Sequence, residues 1–573
     1  MSESKTHIPW LSSYGDVPFH LHYPTGTMCD AVLEAARQYP ENSALSYMGM
    51  NVDYRTLAER IDTVARAFAA QGVTSGQRVV LCMPNIPQTV YCLYALNRIG
   101  AIAVMIHPLS AEEEIAFYLN EVEADFLITL DQFYEKVASV QKTVPLRRLL
   151  ITGAADTLGA FKRNAYKLTA GRSIPPVPKL PHITFWQGFL ESGESYSGSY
   201  IDADKKGDDP AVILFSGGTT GVTKGILLSN LNFNALALQT AAMCHCTVTG
   251  HSMLAAMPMF HGFGLGVCVH TMLVAGGQSI LVPRFNVKEY AGLIRKKRPN
   301  FIAGVPTLYE ALTRDASLDG VKLDFLMGVF SGGDSLSTAL KKKFDAFLLQ
   351  HGAHVRIREG YGTTECVTAS CLTPYNQERV GSIGLPYPDT YYKICWLHST
   401  EEVPYGMEGE ICLRGPSVML GYLNHPEETA KTLQKHEDGH IWLHTGDLGL
   451  MDADGFIYFR QRIKRMIVTS GYNVYPSQLE NIIDGHPAVQ MSCVIGVKDP
   501  YKMQKVKAFV VLRPGNLPSD KLKKELLAYC EKRIAKYAMP YDIEFRENLP
   551  KTKVGKIAYT VLEQEEVAKV AAG

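Results

Sequence analysis

The residues best suited to chemistry sit in the run LFSGGTTGVTKGILLS, residues 214–229. Ser216, Gly217, Gly218, Thr219, Thr220 and Gly221 lead into Lys224 and Gly225. Glycines let a backbone approach an anion closely, hydroxyls and main-chain N–H groups donate, and a lysine adds charge, so the run reads as a loop that holds phosphate. The nucleoside-triphosphatase signature needs glycine directly before the lysine and serine or threonine directly after it. Here Thr223 precedes Lys224 and Gly225 follows, so the loop is of another type. Candidate groups recur in EGYGTTE (residues 359–365), in LHTGDLG with Asp447, in RQRIKRMIVTSGYNVYPSQLE from Arg460, and in LPKTKVGKIAY with Lys556. Taken singly, these strings also read as a core aromatic, a turn aspartate, and a solvated basic face shared with Lys551 and Lys553.

A chain of 573 residues is too long for one core, so at least two domains must position these groups. The segments RVVLCMPN and TVYCLYALNRIGAIAVMIHP, and later the passage from SILVPRF through HVRIREGYGTTE, alternate apolar runs with helical patterns. Such alternation predicts parallel sheets covered by helices, which bind ligands beyond the carboxyl ends of their strands. That brings Gly332 and Gly333 close to residues 361–365. After about residue 460 the elements become shorter and lysine-rich, as expected of a small α+β domain. Lysine plus arginine equals aspartate plus glutamate at 57 each, so no net field attracts nucleic acid.

The 12 cysteines show no paired CxxC spacing, which fits a reduced, intracellular protein. Cys244-His245-Cys246 lacks a second pair at zinc spacing and reads as buried thiols. The N-terminal residues show no basic region followed by an apolar run, so a cytoplasmic location is expected. Residues 253–282 carry no Lys, Arg, Asp or Glu, but His251, His261, His270 and many glycines suit a buried helix and strand. The piece AFKRNAYKLTAGR, within residues 158–172, is basic and amphipathic; a surface helix is expected, and contact with a membrane stays open.

From about Ser43 to Lys556 the motifs together resemble the adenylate-forming superfamily of acyl-CoA synthetases, luciferases and peptide-synthetase adenylation domains. That resemblance implies a large N-terminal α/β domain over residues 1–461, built of mixed and parallel sheets plus a β-rich subdomain. It also implies a small mobile α+β lid over 462–573 with its hinge at Lys464. It implies that the loop at 216–225 cradles the β- and γ-phosphates of ATP, with Thr223 where proline is usual. Gly332, Gly333 and Asp334 would line the adenine and Tyr361 would stack on it, beside Gly362 and Thr363. Thr364 would bond the α-phosphate, and Glu365 would hold Mg²⁺ through a hard oxygen. Asp447 would accept from both ribose hydroxyls, and Arg462 would contact ribose and phosphate. Ser470, Gly471 and Tyr472 would approach CoA. Lys556, the implied catalytic cation, would bridge the substrate carboxylate and the α-phosphate. Gln461 and Lys464 depart from the usual glycine and aspartate of the hinge.

The implied chemistry is activation of a carboxylic acid as acyl-AMP, then transfer to CoA, with ATP, Mg²⁺ and CoA required. His261 stands where amino-acid-activating relatives carry aspartate, which favours a plain acid. The strings SGG, GYNVYPSQLE and PMFHGFG look like bacterial fatty acid–CoA ligases, so a medium- or long-chain fatty acid is expected, with His261, Phe263, Gly264 and Val305 around its chain. An aromatic or steroidal acid, or a separate acyl carrier protein as acceptor, is the alternative. A luciferase-like oxygenase and a non-catalytic sensor are the readings from other classes. A homodimer also stays open.

Overall fold

The computed structural model describes residues 8–198, 203–215, 223–284, 286–469, 472–499, 501–552 and 556–572. Its first sheet has eight strands, in the order Gly421–Tyr422, Gly225–Ser229, Pro210–Phe215, Ile102–Met105, Arg78–Cys82, Phe126–Leu130, Arg148–Thr152 and Ile183–Phe185. From Pro210–Phe215 to Ile183–Phe185 the pairs are parallel, and Gly225–Ser229 returns antiparallel, so Lys224 enters the sheet edge directly. The second sheet has nine strands. Its parallel part runs through Ile357–Tyr361, Gly328–Ser331, Phe301–Gly304, Ser252–Ala255, Gln278–Leu281 and Ser43–Tyr47. The alternating pattern read from the sequence is thus a pair of covered sheets, as expected.

One core joins the two sheets, reaching from Leu81 and Phe126 in the first to Ala255 and Phe301 in the second. Helices Pro87–Arg98 and Asn230–Met243 are buried on nearly every face within it. Local chemistry starts the helices. Ser229 caps Asn230–Met243 by accepting from the Asn232 N–H, Asn286 caps Val287–Lys297, and Ser337 caps Thr338–Gln350. Arg295, Lys296 and Lys297 close the last turn of their helix, opposite the negative end of its dipole.

A third, antiparallel sheet contains Tyr391–Cys395, Gly409–Arg414, Ile441–Met451, Leu433–Lys435 and Ile457–Arg462. The chain leaves it at Arg462, makes the single 3₁₀ turn Ile463–Arg465, and enters a fourth sheet at Ile467. That last sheet carries the helices Pro476–Asp484, Asp520–Glu531 and Tyr559–Ala572. The large α/β part, the β-rich part and the small α+β part match the fold class read from the sequence. Residues 160–168 form a helix whose Phe161 and Leu168 are exposed, while Lys162 donates to the Gly49 carbonyl at 2.8 Å. Among the described residues no helix is long and apolar enough to cross a membrane.

Candidate active site

The carboxyl ends of strands Gly328–Ser331 and Ile357–Tyr361 lie side by side, and the site begins there. Gly332 and Gly333 form a wall with no side chains. A Cβ on Gly332 would meet the Phe263 ring and the Gly360 carbonyl at 3.4 Å. Gly333, at φ +82°, faces Lys556, whose Cε would lie 3.4 Å from an added Cβ, with Val305 Cγ1 at 3.5 Å. The fourth sheet's lysine therefore reaches the mouth of the second sheet's crevice. Lys556 is tied to Thr552, its N–H donating to Thr552 Oγ1 at 3.1 Å and its carbonyl accepting from the Thr552 N–H at 2.7 Å. Burial lowers the basicity of the Lys556 ammonium, and the exposed Asp334 opposes that shift.

Tyr361 ends its strand and donates its hydroxyl to Asp447 Oδ2 at 2.7 Å. The antiparallel register sets Asp447 directly opposite Arg462, whose Nε lies 3.0 Å from Asp447 Oδ1. Burial raises the Asp447 carboxyl above the ordinary range against the pull of Arg462 and Tyr361. Its Oδ1 is buried without a well-aimed donor, an acceptor that a ribose hydroxyl would satisfy. Glu410 fixes the turn before Asp447: its Oε1 accepts from the Gly446 N–H at 2.9 Å and its Oε2 lies 2.9 Å from His444 Nδ1.

Thr364 and Glu365 sit in the one-turn 3₁₀ helix Thr364–Cys366, behind a buried Thr363 and a Gly362 whose added Cβ would strike the Thr368 carbonyl at 2.1 Å. Tyr422 donates to Glu365 Oε1 at 2.8 Å and turns its ring toward Lys224, whose Nζ lies 4.8 Å from the ring centroid. Lys224 Nζ also pairs with Glu428 at 2.7 Å, so the phosphate-loop lysine and the carboxylate of EGYGTTE are joined across one tyrosine. A carboxylate oxygen on a rigid turn fits Mg²⁺, which prefers hard oxygen donors.

Phe263 opens the eight-residue π-helix Phe263–His270 and lines a small cavity together with Val267, Gly332, Gly333, Ala369 and Tyr387. His261 Nδ1 accepts from the Phe263 N–H at 3.3 Å; burial, then the nearby Lys556 charge, pulls the imidazole down to about 3, so it is neutral. Gly264 is not on the cavity wall. Its bare Cα lets the chain pack on the Met257 and Pro258 carbonyls, each 2.2 Å from an added Cβ. Lys464 is exposed at the turn between the third and fourth sheets. Ser216, Gly217, Gly218, Thr219, Thr220, Gly221, Ser470 and Gly471 lie outside the described residues, and Tyr472 is described only as backbone in Tyr472–Val474. Sequence reasoning missed Tyr422, Glu428, Glu410 and His444; GEICLRG, HTGD and GYLNHPEET contain them, but nothing local tells which side chains meet.

Residues 32–423 match the AMP-binding enzyme family, and residues 478–556 match the AMP-binding enzyme C-terminal domain. The chain belongs to the AMP-binding enzyme family. This AMP-binding enzyme is 34% identical to a long-chain-fatty-acid–CoA ligase of Bacillus subtilis (strain 168), over 97% of this chain and 98% of that protein. It is 30% identical to a feruloyl-CoA synthase of an Amycolatopsis species, over 91% of this chain and 95% of the other. It shares its fold with the anthranilate CoA ligase AuaEII in complex with anthranoyl-AMP, at a TM-score of 0.83 and 24% identity, over 97% of this chain and 99% of that one.

Proposed function

We propose that this AMP-binding enzyme is an AMP-forming acyl-CoA synthetase. A carboxylate oxygen of the acid attacks the α-phosphorus of ATP, the bond to the β-phosphate breaks, and pyrophosphate leaves. The thiolate of CoA then attacks the acyl carbon, and the bond to AMP breaks. The observation that carries this reading is Lys556 at Gly333, close to the cavity and to the electrostatic field of Asp447 and Arg462. A cation held where a carboxylate meets a phosphate stabilises the charge that develops between them. Asp447 and Arg462 orient the ribose, the glycine wall admits a flat base, and Lys224 draws the leaving phosphates. Magnesium at Glu365 would supply charge neutralisation for the triphosphate. Neutral His261 adds no charge beside Lys556.

The long-chain relatives favour a fatty acid, and the feruloyl relative keeps an aromatic acid as the second reading. The test is incubation with ATP, Mg²⁺, CoA and a panel of fatty, aromatic and steroidal acids, with products identified by mass. A CoA thioester is expected, and Lys556→Ala is expected to lower adenylate formation by about 100-fold or more. An undiminished rate in that variant would remove Lys556 from the mechanism; adenylate without thioester would point to a carrier-protein acceptor.

A further inference from the structure

A second buried cation, Arg358, lies behind the wall of the cavity described above. Side chains alternate along strand Ile357–Tyr361, so Arg358 shares a face with Gly360, which lines the cavity. In the parallel register Arg358 lies opposite Phe330, another lining residue, and its Cζ is 5.9 Å from that ring. The guanidinium is 5% exposed. Its Nε donates to the Thr373 carbonyl at 2.7 Å and its Nη1 to the Met243 carbonyl at 2.8 Å, while Nη2 is buried with no acceptor.

No carboxylate among the described residues forms an ion pair with it; the groups around it are Cys244, Tyr387, Cys246 and Tyr375. Cys244-His245-Cys246 thus flanks an arginine. Burial lowers the arginine's basicity, yet a guanidinium stays charged in a protein. A lone buried charge is costly unless an anion meets it. Tyr387, on the cavity wall, stands beside Arg358 and near Thr240, which also lines the cavity.

Lys556 beside Gly333 and Arg358 behind Phe330 thus place two cations next to different lining residues of one cavity. Such a cavity is complementary to a molecule with an anion at each end. Building on the ligase reading, we propose that the acid substrate carries a second carboxylate at its far end and that Arg358 recognises it. A monocarboxylic acid would leave the buried guanidinium unpaired, and sites built to pair a polar group reject analogues that lack it.

The experiment compares kcat/KM for α,ω-dicarboxylic acids of stepped length, and for para-carboxylated aromatic acids, with that for the matching monoacids. The wild-type enzyme is expected to prefer a diacid by at least about tenfold. Arg358→Met is expected to abolish or invert that preference, and Arg358→Lys to keep part of it. A purely structural clamp on Thr373 and Met243 would lower thermal stability without moving the ratio. Equal or better use of the monoacids by the wild type, or an unchanged ratio in Arg358→Met, would overturn the proposal. The wild-type comparison decides the matter even if the variant does not fold. Should no acid yield adenylate, the ligase reading fails by itself; calorimetric titration of the wild type with the diacids then decides, binding supporting the Arg358 site and its absence overturning it.

Discussion

Lys224 meets a protein carboxylate where the sequence suggests a phosphate. Glu428 is held down to about 2 by Lys224 and then Lys431, and an ATP phosphate must share or displace that partner. The pair is partly exposed and screened by solvent, so Glu428→Gln should lower KM for ATP about two- to fivefold, with kcat little changed. Initial rates against ATP concentration check this. Glu359, two residues before Tyr361, is the opposite case: burial first of all pushes its carboxyl up to about 7, while the Leu336 N–H and Lys341 resist. The folded chain then holds a proton that the unfolded chain has released. Stability is full below the ordinary value of 4.5 and falls as pH rises through 7. Glu359→Gln should unfold at higher denaturant than the wild type near pH 8, by up to about 3 kcal/mol, and lose that advantage below about pH 4.5. Denaturant melts at both pH values measure it. Neither carboxylate's state could be read from the strings EGYGTTE and HPEET, because burial and partners come from distant elements.

At the scale of elements, the sequence located the charge-free run at residues 253–282 as a buried helix and strand, and the strand Gln278–Leu281 is there. The helix, however, is partly π-wound over Phe263–His270, a form common at functional sites and invisible to a 3.6-residue period. Within it, Gly264, expected around the acyl chain, admits two carbonyls at close range. Gly264→Ala should therefore destabilise the fold by about 1–3 kcal/mol through overpacking, with the loss seen in a thermal melt even with substrates present. The parallel strands were legible because their apolar runs end in glycine loops. The register that opposes Asp447 to Arg462, and Phe330 to Arg358, was not, since pairing joins segments far apart in the chain.

For the whole molecule, the proposed reaction would place Lys556 in the crevice for its first half and, as the family resemblance implies, residues near Tyr472 there for its second. The chain passes between the third and fourth sheets only through the turn Ile463–Arg465, so a rotation would be absorbed there. Lys464→Pro fixes one backbone angle and restricts Ile463 as well. It should slow thioester formation by about tenfold or more while sparing adenylate formation, as single-turnover assays of the separate halves would reveal. Lys556 belongs to the small domain and is bonded to Thr552 there. Withdrawal of the small domain would relieve the imidazole of His261 of one of the two influences that keep it neutral. The proton affinity of this histidine is thus a built-in gauge of closure: its NMR titration should shift to higher pH whenever the lid swings away.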